Sequence, residues 1–274
     1  MNTASQIPVD LVINCYERTY RSVLAPGFVS RVTNDCSYPF ARRTILLNNI
    51  HDMEDARRRA QELIAAGEID QINLVEDHLD EALSVTGLTR KRLGKIAHFS
   101  NWALTALVIP GHDFMVHWDA EIRMVQPYNW IDPALQLFAA DTRVAVANPL
   151  WVSGEHSPEF RERSGDFALS YGFCDQVFLI DRREFARPIY DHWVPIALRY
   201  PVAHISPYFE QMIDSYLRVA GRYRATHMIA RYEHPIEEGI AYPRGLRIRT
   251  LTVAKRIAVG AMRRTPGRHR YFHD

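Results

Sequence analysis

The stretch FMVHWDAEIRM, residues 114–124, decides how this chain is read. Phe114, Met115, Val116 and Trp118 make an apolar run of the kind that forms a strand buried inside a parallel sheet. Asp119 and Glu121 then place two carboxylates one residue apart at the strand's carboxyl end. Two acids there are costly to desolvate unless a cation meets them. In open α/β sheets the ligand crevice lies outside the carboxyl ends of the strands. Hard oxygen ligands at that place suit a divalent cation held against a diphosphate. The plainer reading of the same residues is a strand that ends in a solvated acidic turn.

Outward from this strand, short apolar runs alternate with helical patterns, the signature of βαβ units. Residues 10–16 (DLVINCY), 41–50 and 71–77 predict three strands before it, and 142–151 predicts one after it. Met53, Ala56, Ala60, Leu63 and Ile64 recur at helical spacing behind Asp52 as N-cap, with Gly67 ending the helix. Residues 90–109 read as one helix, 132–140 as a short one and 207–221 as another. Strands are expected in 173–185 and 226–235. Between 152 and 170 the pattern is lost, and His156, Glu159, Arg161, Glu162 and Arg163 suggest a polar lid that orders over a ligand.

With 33 Lys and Arg against 32 Asp and Glu, the net charge is +1, which argues against a general affinity for nucleic acid. The charge is uneven, because residues 241–274 hold nine Lys or Arg and one acid. Cys15, Cys36 and Cys174 show no paired spacing and read as reduced thiols of an intracellular, cytoplasmic protein. The N-terminus lacks the pattern of a secretory signal, and no apolar run reaches the roughly 20 residues that span a bilayer.

Four segments together resemble the GT-A fold of nucleotide-sugar glycosyltransferases, family 2 type. They are DLVINCYERTYRS (10–22), HFSNWALTALVIPGHDFMVHWDAE (98–121), GFCDQVFLIDRREF (172–185) and PYFEQMIDSYLR (207–218). Within that fold the chain resembles small actinobacterial transferases that extend mannose-containing polysaccharides. The resemblance implies an α/β, Rossmann-like mixed sheet flanked by helices over residues 1–240, followed by a basic amphipathic C-terminal extension, 241–274. It departs from the family in two places. The usual DxD stands as Asp119-Ala120-Glu121, and an acidic turn after the second strand is replaced by NNIHD (48–52).

What the resemblance implies is a metal-dependent hexosyltransferase. Its donor is GDP-mannose or else UDP-glucose, and its acceptor is a glycan or a small glycosylated molecule. Asp119, Glu121 and His234 are the expected ligands of Mg²⁺ or Mn²⁺. Asn14, Tyr16, Glu17, Arg18, Asn49 and Asp52, after the first two strands, are expected around the nucleotide, with Arg92, Ser100, Asn101 and Ala120. Trp151 and Asp175 are expected at the sugar or acceptor. Glu210 and Asp214 lie one helical turn apart and share a face; Glu210 is the candidate base if the transfer inverts the anomeric centre, and orients the acceptor if it retains the configuration.

Each of these also has a bland reading: a strand-end residue, a solvated acid, or a serine bonded back to its helix. The rival for the whole chain is a catalytically silent GT-A-like protein that binds a glycan or a partner. Neither GxxxxGK[ST] nor GxGxxG is present, which sets aside a P-loop or dinucleotide fold. The tail, with Leu251, Ala254, Ala258 and Met262 at helical spacing, is left with three uses: a membrane surface, a second copy, or its own domain.

Overall fold

The computed structural model describes residues 7–152, 160–234, 246–264 and 270–272. Ten strands form one mixed sheet: β1 (Val9–Cys15), β2 (Arg42–Leu47), β3 (Gln71–Leu74), β4 (Phe114–Asp119), β5 (Arg123–Met124), β6 (Val144–Trp151), β7 (Glu162–Ser164), β8 (Phe167–Ser170), β9 (Val177–Asp181) and β10 (Tyr223–Glu233). Their order is β3-β2-β1-β4-β9-β6-β10-β8-β7, with β5 paired to β10. The first four are parallel, β9 runs antiparallel between β4 and β6, and β10 lies parallel to β6.

Strand alternation sorts the core onto two faces. Leu11, Ile13, Val116 and Trp118 pack toward the helices Phe28–Cys36, Met53–Ala65 and Ile131–Ala140. Val12, Met115 and Phe178 pack toward Val75–Thr86, Asn101–Val108 and Phe209–Ala220 on the other face. This is the helix-flanked mixed sheet that the resemblance implies.

Three sequence expectations need correction. The helix expected over 90–109 is broken into Arg90–Leu93, a 3₁₀ segment and Asn101–Val108. Gly94 takes φ +61 at the break, and a Cβ there would lie 2.7 Å from Ser206 Oγ. The third strand stops at Leu74, and the helix Val75–Thr86 follows at once. Within the segment expected to be an irregular lid, β7 and β8 form a hairpin about Gly165 (φ +56), and β8 is fully buried against β10. Residues 153–159, which include His156 and Glu159, lie outside the described residues.

The C-terminal helix Leu246–Arg263 packs on the turn Pro195–Arg199 of its own chain. Val259 is buried there, Thr252 Oγ1 meets His204 Nε2 at 3.1 Å, and Lys255 Nζ donates to the carbonyl of Pro201 at 3.0 Å. The packed face is therefore Thr252, Lys255 and Val259, turned from the Leu251 and Ala254 stripe that the spacing suggested. Among the described residues no helix is long and apolar enough to cross a membrane.

Candidate functional site

The carboxyl ends of β1, β4, β6 and β10 meet at one edge of the sheet. Asn14 stands in register with Asp119, and Trp151 with Tyr232. The short strand β5, returning just after the acidic turn, pairs Arg123 with Glu233 and Met124 with Tyr232. That pairing carries the residue after β10, His234, back over the end of β4. Ligand atoms of Asp119, Glu121 and His234 all lie within 4.8 Å of one another. His234 Nε2 is 4.0 Å from Asp119 Oδ1 and 3.7 Å from Glu121 Oε2. The Glu121 amide donates to Asp119 Oδ1 at 2.9 Å, which fixes the turn between the two acids. All three side chains are half-buried. One imidazole nitrogen and two carboxylates form a donor set that fits Mg²⁺ or Mn²⁺. Ala120, between the acids, packs against the core, and Trp118 is fully buried.

Two further acids continue from this group. Asp119 donates its amide to the carbonyl of Gln176 at 2.8 Å, which sets Asp175 beside it. Burial and the Asp119 charge push the Asp175 carboxyl up to about 7. Burial and the charge of Asp175 in turn raise Glu210 well above the usual range, against the pull of Tyr208 and Arg199. The Tyr208 hydroxyl donates to Glu210 Oε2 at 3.1 Å. Each of these negative charges therefore disfavours the ionised form of its neighbour. Tyr232 braces the floor by donating to Gln176 Oε1 at 2.8 Å.

Asp214, one turn along the helix from Glu210, serves a different purpose. It is fully buried, 2.7 Å from Arg218 Nε and 2.8 Å from Arg199 Nη1. Burial alone would raise its carboxyl, but the two guanidinium groups outweigh it and hold it below the usual range. Its negative charge is committed to the interior, so Asp214 is withdrawn as a catalytic candidate and Glu210 is kept.

The residues expected around a nucleotide converge in part. After β1 the chain turns tightly, with the Tyr16 amide donating to Thr19 Oγ1 at 3.1 Å and the Tyr20 amide to the Tyr16 carbonyl at 2.8 Å. Glu17 accepts from the His51 amide at 2.8 Å and so ties the ends of β1 and β2 together. Arg18 belongs to the same turn, and Asn49 adopts φ 49 in the loop after β2. Asp52 caps the helix Met53–Ala65 by accepting from the Asp55 amide at 3.1 Å, which uses one carboxylate oxygen for the fold. Asn14 is half-buried beside Asp119, and its Oδ1 has no hydrogen-bond partner among the described residues.

Others are spent elsewhere. Ser100 is fully buried, and its hydroxyl accepts from the Phe209 amide at 2.9 Å, capping the helix that carries Glu210. It acts on the site by holding that helix, so the expected contact with a donor is set aside. Arg92 pairs with Asp191 and donates to the Tyr190 carbonyl at 2.8 Å, so its guanidinium is committed to the segment after β9. Asn101 is half-buried at the start of the next helix. Trp151 is half-buried two residues from the sheet edge register of His234, with its indole nitrogen unpartnered among the described residues. Arg161 lies over the Tyr171 ring at 4.7 Å. Tyr208 and Tyr232 escaped the sequence reading, although Tyr208 stands two residues before Glu210 in the quoted motif.

Neither a protein-family model nor a curated protein matches the chain. Solved structures do. The structure of GalNAc-T7 with UDP, GalNAc and Mn²⁺ is 12% identical, with 84% of this chain and 44% of that one covered, at TM-score 0.48. Glucosyl-3-phosphoglycerate synthase from Mycobacterium tuberculosis, with Mn²⁺, UDP and phosphoglyceric acid, is 15% identical, with 94% and 78% covered, at TM-score 0.45. The S. aureus TarS 1–349 structure with UDP-GlcNAc is 10% identical, with 96% and 68% covered, at TM-score 0.46. The chain therefore spans less than half the length of the GalNAc-T7 structure.

Proposed function

We propose that the protein is a metal-dependent glycosyltransferase of the GT-A type that moves a hexose from a nucleoside diphosphate sugar to a hydroxyl of a glycan or small glycosylated acceptor. The observation that carries this reading is the convergence of Asp119, Glu121 and His234 within 4.8 Å where the carboxyl ends of β4 and β10 come together through the short strand β5. These three residues would hold Mg²⁺ or Mn²⁺. When bound, the cation supplies Lewis-acid neutralisation of the departing diphosphate. Asn14 and the turn Tyr16–Thr19 would border the nucleotide, and Trp151 would offer a flat face to a sugar ring.

In the transfer, the bond between the sugar's anomeric carbon and the diphosphate oxygen breaks, and a bond to the acceptor oxygen forms. In an inverting transfer the acceptor's hydroxyl proton goes to a base within hydrogen-bond reach. Glu210 takes that role, oriented by Tyr208 and kept at a raised proton affinity by burial and by Asp175. The donors to tell apart are GDP-mannose, favoured by the finer sequence resemblance, and UDP-glucose.

The test is thermal unfolding against UDP, GDP, CDP and dTDP, each with and without Mn²⁺. A ligand at a hundred times its Kd stabilises the native state by about 2.7 kcal/mol. A metal-dependent shift with UDP or GDP, followed by hydrolysis of the matching sugar nucleotide, is expected. No shift with any nucleotide would favour the silent, glycan-binding alternative.

A further inference from the structure

The C-terminal helix Leu246–Arg263 is anchored by one face and open on the other. Thr252, Lys255 and Val259 face the protein. Val253 and Ile257 face out, 56% and 69% exposed, with Ala254 exposed between them. These positions recur at three- and four-residue intervals and so line one side of the helix. Exposed Arg256 borders that side, and exposed Arg264 follows it just past the helix end. A second exposed amphipathic residue, Trp193 at 57%, precedes the turn Pro195–Arg199 on which the helix rests.

Charge decides what such a face meets. The helix Leu246–Arg263 carries Arg247, Arg249, Lys255, Arg256 and Arg263 and no acid, while residues 1–240 are acidic on balance. An anionic surface therefore attracts this helix more than the rest of the chain, which favours one orientation. A two-fold contact between copies would set the same patch against itself and bring Arg256 and Arg264 toward their own counterparts. The apolar strip is also too narrow to be the core of a stable dimer interface, which buries about 800 Å² on each partner. A shallow apolar strip flanked by arginines is the pattern of a helix lying in the headgroup region of a bilayer.

We propose that the helix Leu246–Arg263 docks the protein, in the plane of the membrane, on a bilayer rich in anionic lipid. Val253, Ala254 and Ile257 enter the headgroup boundary, and Arg256 and Arg264 meet the lipid phosphates. This is independent of the transferase reading, since no residue of the acidic site takes part.

The full chain is to be co-sedimented with vesicles of phosphatidylcholine alone and of phosphatidylcholine with phosphatidylserine, at low and high salt. Binding is expected only with phosphatidylserine, weakened by salt, and reduced roughly tenfold or more in both Ile257→Glu and Arg256→Glu. Both side chains are exposed, so the thermal midpoint of each variant should match that of the parent. Three results would overturn the proposal: no binding to the anionic vesicles, equal binding to both kinds, or equal binding by the parent and both variants. A dimer seen by light scattering that Ile257→Glu dissolves, with no vesicle binding, would assign the face to a second copy and overturn it as well. Metal-dependent nucleotide binding, measured on the same variants, separates failure here from failure of the transferase reading.

Discussion

The two edges of the sheet treat their carboxylates in opposite ways. At the edge where β1 and β4 begin, each acid meets a cation. Asp10, wholly buried, accepts from Arg182 at 3.1 Å and lies 2.7 Å from His112 Nδ1. Arg183 takes both Asp113 and Asp181, Arg222 takes Glu184, and Arg143 takes Asp141. At the opposite edge the acids instead meet one another: Asp119 raises Asp175, and Asp175 raises Glu210. The first arrangement neutralises charge to hold a fold together. The second concentrates negative charge where a cation and a diphosphate would restore the balance. Electrostatic strain of this kind gathers where chemistry is done.

That contrast can be broken by substitution. Asp119→Ala should produce the largest effect, a loss of metal-dependent transfer of about a hundredfold or more, since several kcal/mol of charge stabilisation is removed. The folded state should be kept or slightly stabilised, because a source of repulsion on Asp175 has gone. Steady-state transfer and a melting curve on the same preparation read both halves. Asp10→Ala should do the reverse. It strands Arg182 in the interior and should cost about 3–5 kcal/mol of stability, lowering the melting midpoint by roughly 10 °C. Activity per folded molecule should persist.

The pH dependence of stability sharpens the comparison. The Asp175 carboxyl titrates at about 7 in the folded chain against an ordinary 3.8. The folded state thus holds its proton more tightly than the unfolded state. Its contribution is complete below the ordinary value and is lost as pH rises through about 7. Asp214, held below the ordinary range by Arg199 and Arg218, behaves oppositely and loses its contribution as pH falls. Chemical denaturation of Asp175→Asn against the parent, from acid to neutral pH, should show the variant gaining relative stability as pH rises. A parallel dependence in the two proteins would count against a raised Asp175. The smallest effect is reserved for Ser100→Ala. It should cost about 1 kcal/mol through loss of the helix cap at Phe209, with a modest fall in transfer as Glu210 loses its support.

Much of the candidate site's edge was legible because its signals are local. Two acids closing an apolar strand, an Asp before a helical repeat, and Glu210 at the head of a helix are each visible within a short window of sequence. What escaped depends on contacts across the chain. Gly94 breaks the expected long helix because Ser206 crosses it, a contact more than a hundred residues away. The role of Asp214 was half visible: Arg218 stands four residues on, but Arg199 comes from a turn outside the helix. The β7–β8 hairpin reads as irregular polar loop in the sequence because its first strand is three residues long and carries Glu162 and Arg163. Its burial comes from β8 pairing with β10, which no short window reveals. The outward face of the C-terminal helix was misplaced for the same reason, since the turn it packs on fixes its rotation.

The most direct test of the central claim is Mn²⁺ binding followed by the loss of the free-ion paramagnetic resonance signal, in the parent and in Asp119→Ala. The parent should bind the ion, more tightly when the matching nucleoside diphosphate is present, and the variant should leave the free-ion signal undiminished. Equal binding by both proteins would contradict the assignment of Asp119, Glu121 and His234 as the metal centre.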